Sequence, residues 1–522
     1  MPYQITLKCV SVYYKRANES ANVPNLLRAN AKIVMTNSLP MLSDQQISSF
    51  LSNGYLDIEL NLDCIDHESI YIQTDRLFQT LNSGANPHNN IVPMIPKLHD
   101  VLNDVKLETA LTTLVGQNYL IHPHRHCHTN FPGTSNAGIG MLQAFHKDGH
   151  AHRPRPRHRE PRWLILFYSP QDTPLHRGPT AVIPGSHLLS NLSDQKPSRT
   201  PPSLKETKNG FFTDSSYHIR NVEPMVGPPR AVLCHFDLGH GAMINASVLP
   251  RYVHKFVVMR TEEPEPCSGL GTLQTDDPTQ SHIWQWLGGT SKRRHETDTD
   301  IDHWCSRLQS MNPIESTRAI YESELVARHD YGKVTDLLDE QINQQIGAYS
   351  ANEVLNTADA VNGLAQIGAL DRMLDMLNED SPALIATAAY GLGQLRSADA
   401  LPRLRELIDH PNAGVVRHVI SSIGIISSAT HAQITPSLDT LTRKYDSESD
   451  WDIRLYIIQA VIRFGFDDET LPLLCRASND EHAYVSSFAI EQLCRFDSDI
   501  ARKAVIEPLR RQRWFPDPFF AI

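Results

Sequence analysis

The feature that most constrains this 522-residue chain is a change of period beyond about Asn312. From there apolar residues recur at helical spacing, and short segments resemble one another. Gly363-Leu364-Ala365-Gln366-Ile367 returns as Gly391-Leu392-Gly393-Gln394-Leu395, 28 residues later, and each is followed by a second amphipathic stretch, Leu370 to Leu377 and Leu401 to Ile408. VVRHVISSIGII, DIRLYIIQAVIRFG and YVSSFAIEQLCRF continue the series at spacings of roughly thirty to forty residues, the range of stacked helical hairpins. Small residues at Ala389, Gly393, Gly424 and Ala460 let neighbouring helices approach. One hairpin cannot bury its apolar face alone, so the stretch is expected to form an all-α solenoid.

The chain before it follows a different rule. LSDQQISSFLSNGYLDI predicts a helix capped by Ser43 or Asp44 and ended by Gly54, followed by a strand over Tyr55 to Leu60. A second helix is expected over Ile95 to Leu114. Strands are expected at NYLIHPHRHCHTNFPG, at Trp163 to Pro170, at Ala231 to Cys234 and at Tyr252 to Met259, with a polar excursion from Leu188 to Val226. The length calls for two or three domains, which we set at 1–41, a segment of unknown role, 42–300 and 312–522. A net charge of −11 argues against general nucleic-acid binding, and no apolar run is long enough for a membrane span or placed like a secretory signal. Eight scattered cysteines that never form C-x-x-C predict reduced thiols in a cytoplasmic protein.

Chemistry concentrates in GMLQAFHKDGH, Gly140 to His150. On an extended strand His146 and Asp148 point to one face, so an imidazole and a carboxylate can bind one metal ion. His240, in a turn after an apolar strand, supplies a third ligand, and Arg251 follows eleven residues later. Two histidines and one carboxylate on one face of Fe(II) leave three positions open, enough for a bidentate 2-oxo acid and dioxygen. The planar guanidinium of Arg251 can bind the remote carboxylate of 2-oxoglutarate bidentately. His235 and His254 are the competitors for the role of His240. Two further features carry two readings each. His122, His124, His126 and His128 at every second position form either a polar strand face or a metal cluster, with the polar face favoured. The loop Ala151 to Arg162, with five arginines broken by prolines, is either solvated or an anion-binding lid.

The segments LSDQQISSFLSNGYL, FHKDGH, GPTAVIPGSH and HGAMINASVLPR, in that order over Leu42 to Arg260, resemble the phytanoyl-CoA dioxygenase family of Fe(II)- and 2-oxoglutarate-dependent oxygenases. The repeats from about Ala351 to Arg511 resemble HEAT repeats. The first resemblance implies a double-stranded β-helix, or jelly roll, with His146, Asp148 and His240 on iron and Arg251 anchoring 2-oxoglutarate. It also sets Trp163 beside the co-substrate and the strand of His126 and His128 at another co-substrate contact. Ala242 departs from it, since the family commonly has serine there. The fold class expected is therefore α+β and multidomain, a jelly-roll catalytic domain followed by an all-α solenoid of HEAT-like repeats.

The function expected is a dioxygenase hydroxylating an unactivated C–H bond of a small or medium-sized organic substrate, anionic if the arginine loop is a lid. Fe(II), 2-oxoglutarate and dioxygen are its cofactor and co-substrates. The solenoid is expected to offer a surface for a protein partner or for self-association. Two alternatives stand: an interaction protein with a vestigial oxygenase module, or an oxygenase whose solenoid holds a protein or carrier-bound substrate.

Overall fold

Ser43 opens the first helix, α1 (Asp44–Asn53), by a reciprocal cap: its hydroxyl accepts from the Gln46 amide while the Gln46 side chain accepts from the Ser43 amide at 3.0 Å. Gly54 closes it in the left-handed region, φ 79°, and a Cβ there would lie 2.4 Å from Nδ1 of His187. The chain turns directly into β1 (Tyr55–Ile58). In this computed structural model the residues described are 41–61, 64–81, 89–132, 147–148, 158–188, 223–265, 275, 277–289, 300–310, 312–348, 358–429 and 431–514. After α2 (His67–Leu81), the single helix expected over Ile95 to Leu114 is two, α3 (Leu98–Leu102) and α4 (Val105–Val115). The break is chemical: the Asp104 carboxylate accepts from the amides of Lys106 and Leu107 and so starts a new helix.

The remaining strands are β2 (Leu120–Asn130), β3 (Trp163–Ser169), β4 (Thr180–Val182), β5 (Glu223–Pro224), β6 (Arg230–His235), β7 (His240–Ala242) and β8 (Arg251–Met259). They form a five-stranded antiparallel sheet in the order β1-β6-β3-β8-β2 and a three-stranded one, β5-β4-β7. Alternation divides the larger sheet into two faces. Leu164, Leu166, Tyr168, Tyr252 and Phe256 pack on the helices, whereas Ile165, Phe167, Val232, Cys234 and Val253 share a core with Val182 of the smaller sheet. The site lies on this second, inner face.

After α5 (Pro278–Leu287) every regular element among the described residues is helical. The helices α6 (Ile301–Leu308), α7 (Pro313–Tyr321), α8 (Ser323–Ala327) and α9 (Tyr331–Ala348) lead into an inner row, α10 (Ala358–Gln366), α12 (Pro382–Leu395), α14 (Ala413–Ser428), α16 (Trp451–Ile462) and α18 (Ala483–Leu493). An outer row, α11 (Leu370–Met376), α13 (Leu401–Glu406), α15 (Ile434–Ser447), α17 (Leu471–Ala477) and α19 (Asp499–Trp514), backs it. Arg417 on α14 pairs with Asp452 on α16 at 2.7 Å, and Arg454 with Asp480 at 2.8 Å, one rung per repeat. Eleven residues of α16 in succession, Asp452 to Ile462, are buried, which requires cover on both sides of the inner row.

The second cover is the sheet domain itself. Leu120, Met259 and Trp163 join the solenoid's apolar core, His122 packs edge-on against Tyr484 and Phe488, and Arg125 pairs with Glu491 at 2.5 Å. The inner row is thus packed against the sheet domain of the same chain. The arginine loop joins the same contact. Arg159 is ion-paired with Asp359 of α10, and Arg162 lies buried between Glu160, Glu263 and Gln394 of α12. These two residues are structural cations and not part of a lid; Arg153, Arg155 and Arg157 lie outside the described residues. Among the described residues no helix is long and apolar enough to cross a membrane, and the described cysteines are free thiols.

Candidate active site

Strand parity brings the polar side chains together. On β8, Arg251, Val253, Lys255 and Val257 share the inner face, and β2 sets His128 opposite Val253 and His126 opposite Lys255. β3 places Phe167 on the other side of Lys255. The register of β2 against β8 shifts between Ile121 and Arg125, within the run of four histidines. His122 and His124 serve the solenoid contact, with His124 Nδ1 2.8 Å from the Tyr484 hydroxyl, while His126 and His128 continue along the sheet. The shift adds two residues, an even number, so the alternation is kept: His122 packs on Trp163, His124 stacks on His126 with centroids 5.7 Å apart, and His126 meets His128 at 5.0 Å, which continues the polar row through it.

His240 begins β7. The turn before it is held by Ser186, whose hydroxyl accepts from the Gly239 amide at 2.8 Å, and the Nδ1–H of His240 donates to the Leu238 carbonyl at 2.9 Å. That bond fixes the tautomer and leaves Nε2 as the basic nitrogen. Nε2 stands 3.9 Å from Oδ1 of Asp148, too far for a hydrogen bond and within the reach of two donors each about 2.1 Å from one ion. The other oxygen of Asp148 is ion-paired with Lys255. His240 also stacks on Phe167, centroids 5.2 Å apart. Lys147 turns away from Asp148, donating to the Ser186 carbonyl at 2.8 Å and pairing with Asp237 at 3.1 Å. Lys147 and Asp148 lie outside the strands, in contrast to the extended segment expected, and His146 lies outside the described residues.

The competitors of His240 are engaged elsewhere. His235 Nδ1 accepts from the Asp237 amide and its Nε2 bonds the Arg159 carbonyl at 3.1 Å; His254 is on the opposite face, 3.2 Å from the Thr74 hydroxyl. Arg251 is 2% exposed, and its Nε donates to the Gly178 carbonyl at 2.8 Å. Among the described residues no carboxylate pairs with it, and burial pulls its pKa down to about 10. Gly178 (φ 66°) is irreplaceable there, since a Cβ would lie 2.4 Å from Nδ2 of Asn130 and 2.7 Å from the Met243 carbonyl.

His126 Nδ1 is 3.1 Å from the Asn89 side-chain oxygen. His128, which sequence reasoning mentioned only as its companion, is closer to the centre. Its Nε2 is buried and without a hydrogen-bond partner among the described residues. Burial first, then the Lys255 ammonium, lowers its pKa to about 2, with Asp148 and His240 also within electrostatic range. The signal was its even spacing from His126. Trp163 lies on the same face but pairs with Met259, four positions along from Phe167, or about 13 Å of strand. The structure therefore does not bring it to Asp148 and His240; it contacts Phe236 and His122.

A polar, inward-facing pair of ligand-type donors and, among the described residues, an imidazole nitrogen without a hydrogen-bond partner and a buried guanidinium without a carboxylate fit a metal ion and a dianionic oxo acid. The sequence of residues 84–253 matches the family described as phytanoyl-CoA dioxygenase. Residues 84–253 are a phytanoyl-CoA dioxygenase domain. Enzymes of this family use Fe(II), 2-oxoglutarate and dioxygen, and the domain spans Asp148, His240 and Arg251. Residues 370–454 match HEAT repeats. Solved structures similar to the chain include the epimerase SnoN in complex with Fe3+, alpha ketoglutarate and nogalamycin RO, at 17% identity and TM-score 0.32 over 44% of this chain and 93% of that one. EctD from S. alaskensis with bound Fe is another, at 19% identity and TM-score 0.30 over 42% and 77%. No curated protein matches the chain.

Proposed function

We propose that the part of the chain at 42–300 is an Fe(II)- and 2-oxoglutarate-dependent hydroxylase of a small or medium-sized organic molecule, built as a jelly roll from the two sheets. The observation that carries this reading is the approach of His240 Nε2 to Asp148 Oδ1, together with a buried Arg251 that meets no carboxylate among the described residues. His146, two residues before Asp148, is the third ligand proposed. Fe(II) with 2-oxoglutarate and dioxygen supplies an oxidant able to attack an unactivated C–H bond, with succinate and carbon dioxide as co-products.

The protein's own contribution is placement and exclusion. Asp148 and His240 would hold the ion, and Leu238, through its carbonyl, keeps the His240 ring in the ligating tautomer. Arg251, fixed by Gly178, would take the distal carboxylate of the oxo acid, and the buried surroundings make that charge-assisted pair strong. His126 and His128 line the wall next to it, with Trp163 further along the same face. Phe167, Val182 and Val253 form the apolar part of the interior that keeps water from the reacting centre. The solenoid at 312–522 is read as a brace on β2, the sheet's edge strand.

The test is anaerobic titration of the full chain with Fe(II) and then 2-oxoglutarate, followed by succinate measurement in air. A visible charge-transfer band and slow succinate release are expected. Asp148→Ala and His240→Ala should each abolish the band. Absence of a band and of succinate in the wild-type chain would overturn the reading.

A further inference from the structure

Lys255 occupies a position where the strand pattern calls for an aliphatic residue. It lies between Val253 and Val257 on the inner face of β8, is 6% exposed, and is flanked by Phe167 and His126 on the neighbouring strands. Removing an ammonium from water costs several kcal/mol, roughly, unless a partner compensates. Its partner is Asp148, the carboxylate of the candidate metal site. The two oxygens of Asp148 therefore do different things: Oδ2 is engaged by Lys255, and Oδ1 faces His240 Nε2 at 3.9 Å.

We propose that Lys255 is a positioning residue for the metal, holding one oxygen of Asp148 so that the carboxylate offers only the other to the ion. This rests on the function proposed above. The consequence is a count of coordination positions. A carboxylate that binds through one oxygen leaves one more position open than one that binds through both, and a site that must also admit a bidentate oxo acid and dioxygen needs every one. The strand fixes the clamp in place: Lys255 and Arg251 are four residues apart on one face of β8, so the residue that orients the metal's carboxylate and the residue proposed to anchor the oxo acid ride on the same rigid element. Lys147, the nearer lysine in sequence, is excluded from this role because its ammonium is held by Asp237 and the Ser186 carbonyl.

The opposite role is physically available, an ammonium that occupies the carboxylate and competes with the metal for it. Metal affinity separates the two. The full-length chain is titrated with Co(II) in air and with Fe(II) without air, each in competition with a chromophoric chelator, and melting is followed in parallel. Lys255→Met should bind either ion about 10- to 100-fold more weakly, the usual effect of losing an outer-shell partner, and Lys255→Arg should stay within about threefold of wild type. If Lys255→Met does not fold, Lys255→Gln, which loses the charge but keeps a polar head, is read in the same way. Metal binding by the neutral variant that is equal to or tighter than wild type would overturn the proposal. The function itself fails on a different result: wild type that binds neither ion, or Asp148→Ala that binds as wild type does.

Discussion

Glu263 is the keystone of the contact between the sheet domain and the solenoid, and replacing it by glutamine tests that contact directly. The carboxylate is buried and meets three guanidinium groups. Arg162 approaches Oε1 at 2.9 Å and Oε2 at 2.7 Å, Arg396 approaches Oε2 at 3.0 Å, and Arg463 approaches Oε1 at 3.4 Å. Two of the three arginines belong to the solenoid. Glutamine has nearly the same shape, but it removes the charge and turns an amide group toward three sets of donors. Breaking a buried pair by removing one partner costs about 3–5 kcal/mol, because the other charge stays buried without compensation. At about 2 °C per kcal/mol, the low end for larger domains, Tm should fall by roughly 6–10 °C. Scanning calorimetry of the full chain is the assay, and because Glu263 joins the two parts, the loss should appear in a shared transition. Two separate transitions in wild type, with neither shifted by more than about 1 °C in Glu263→Gln, would refute the reasoning.

Acid should weaken the same contact. Burial alone would raise the Glu263 and Glu160 carboxyls, but Arg162, with Arg463 and Arg396 for Glu263 and with His282 for Glu160, holds both below the usual 4.5, Glu160 at about 2. A depressed carboxyl contributes stability that is fully present above its unfolded value and is lost as pH falls through the folded one. Melting temperature should therefore decline from about pH 4.5 downward, and less steeply in Glu263→Gln; parallel declines would exclude the cluster as the cause. Arg251→Ala should weaken 2-oxoglutarate binding roughly 10- to 100-fold, read from the charge-transfer band, and unchanged affinity would remove it from the co-substrate site. Gly424→Ala would put a Cβ 2.9 Å from Cα and Cβ of Ala460 where α14 crosses α16, so it should cost about 1–3 kcal/mol in thermal or urea unfolding.

The sequence by itself determined the local elements and the identity of the donors. Ser43 and Gly54 delimit a helix through caps that depend only on neighbours, the alternation in RYVHKFVVM fixes which side of β8 Arg251 and Lys255 take, and the 28-residue recurrence of Gly-Leu-x-Gln implies stacked hairpins. Where one residue competes with its neighbours, pattern alone misled: Asp104 split a helix. Only the tertiary structure decided partners. Arg159 and Arg162 look in sequence like any solvated arginines, yet their carboxylates, Asp359 and Glu263, come from 200 and 101 residues away. The same holds for Lys255 and Asp148, and for the inner helices of the solenoid, which close on the sheet domain. Charge and packing act across space, and chain separation carries no record of which buried cation a distant carboxylate will neutralise.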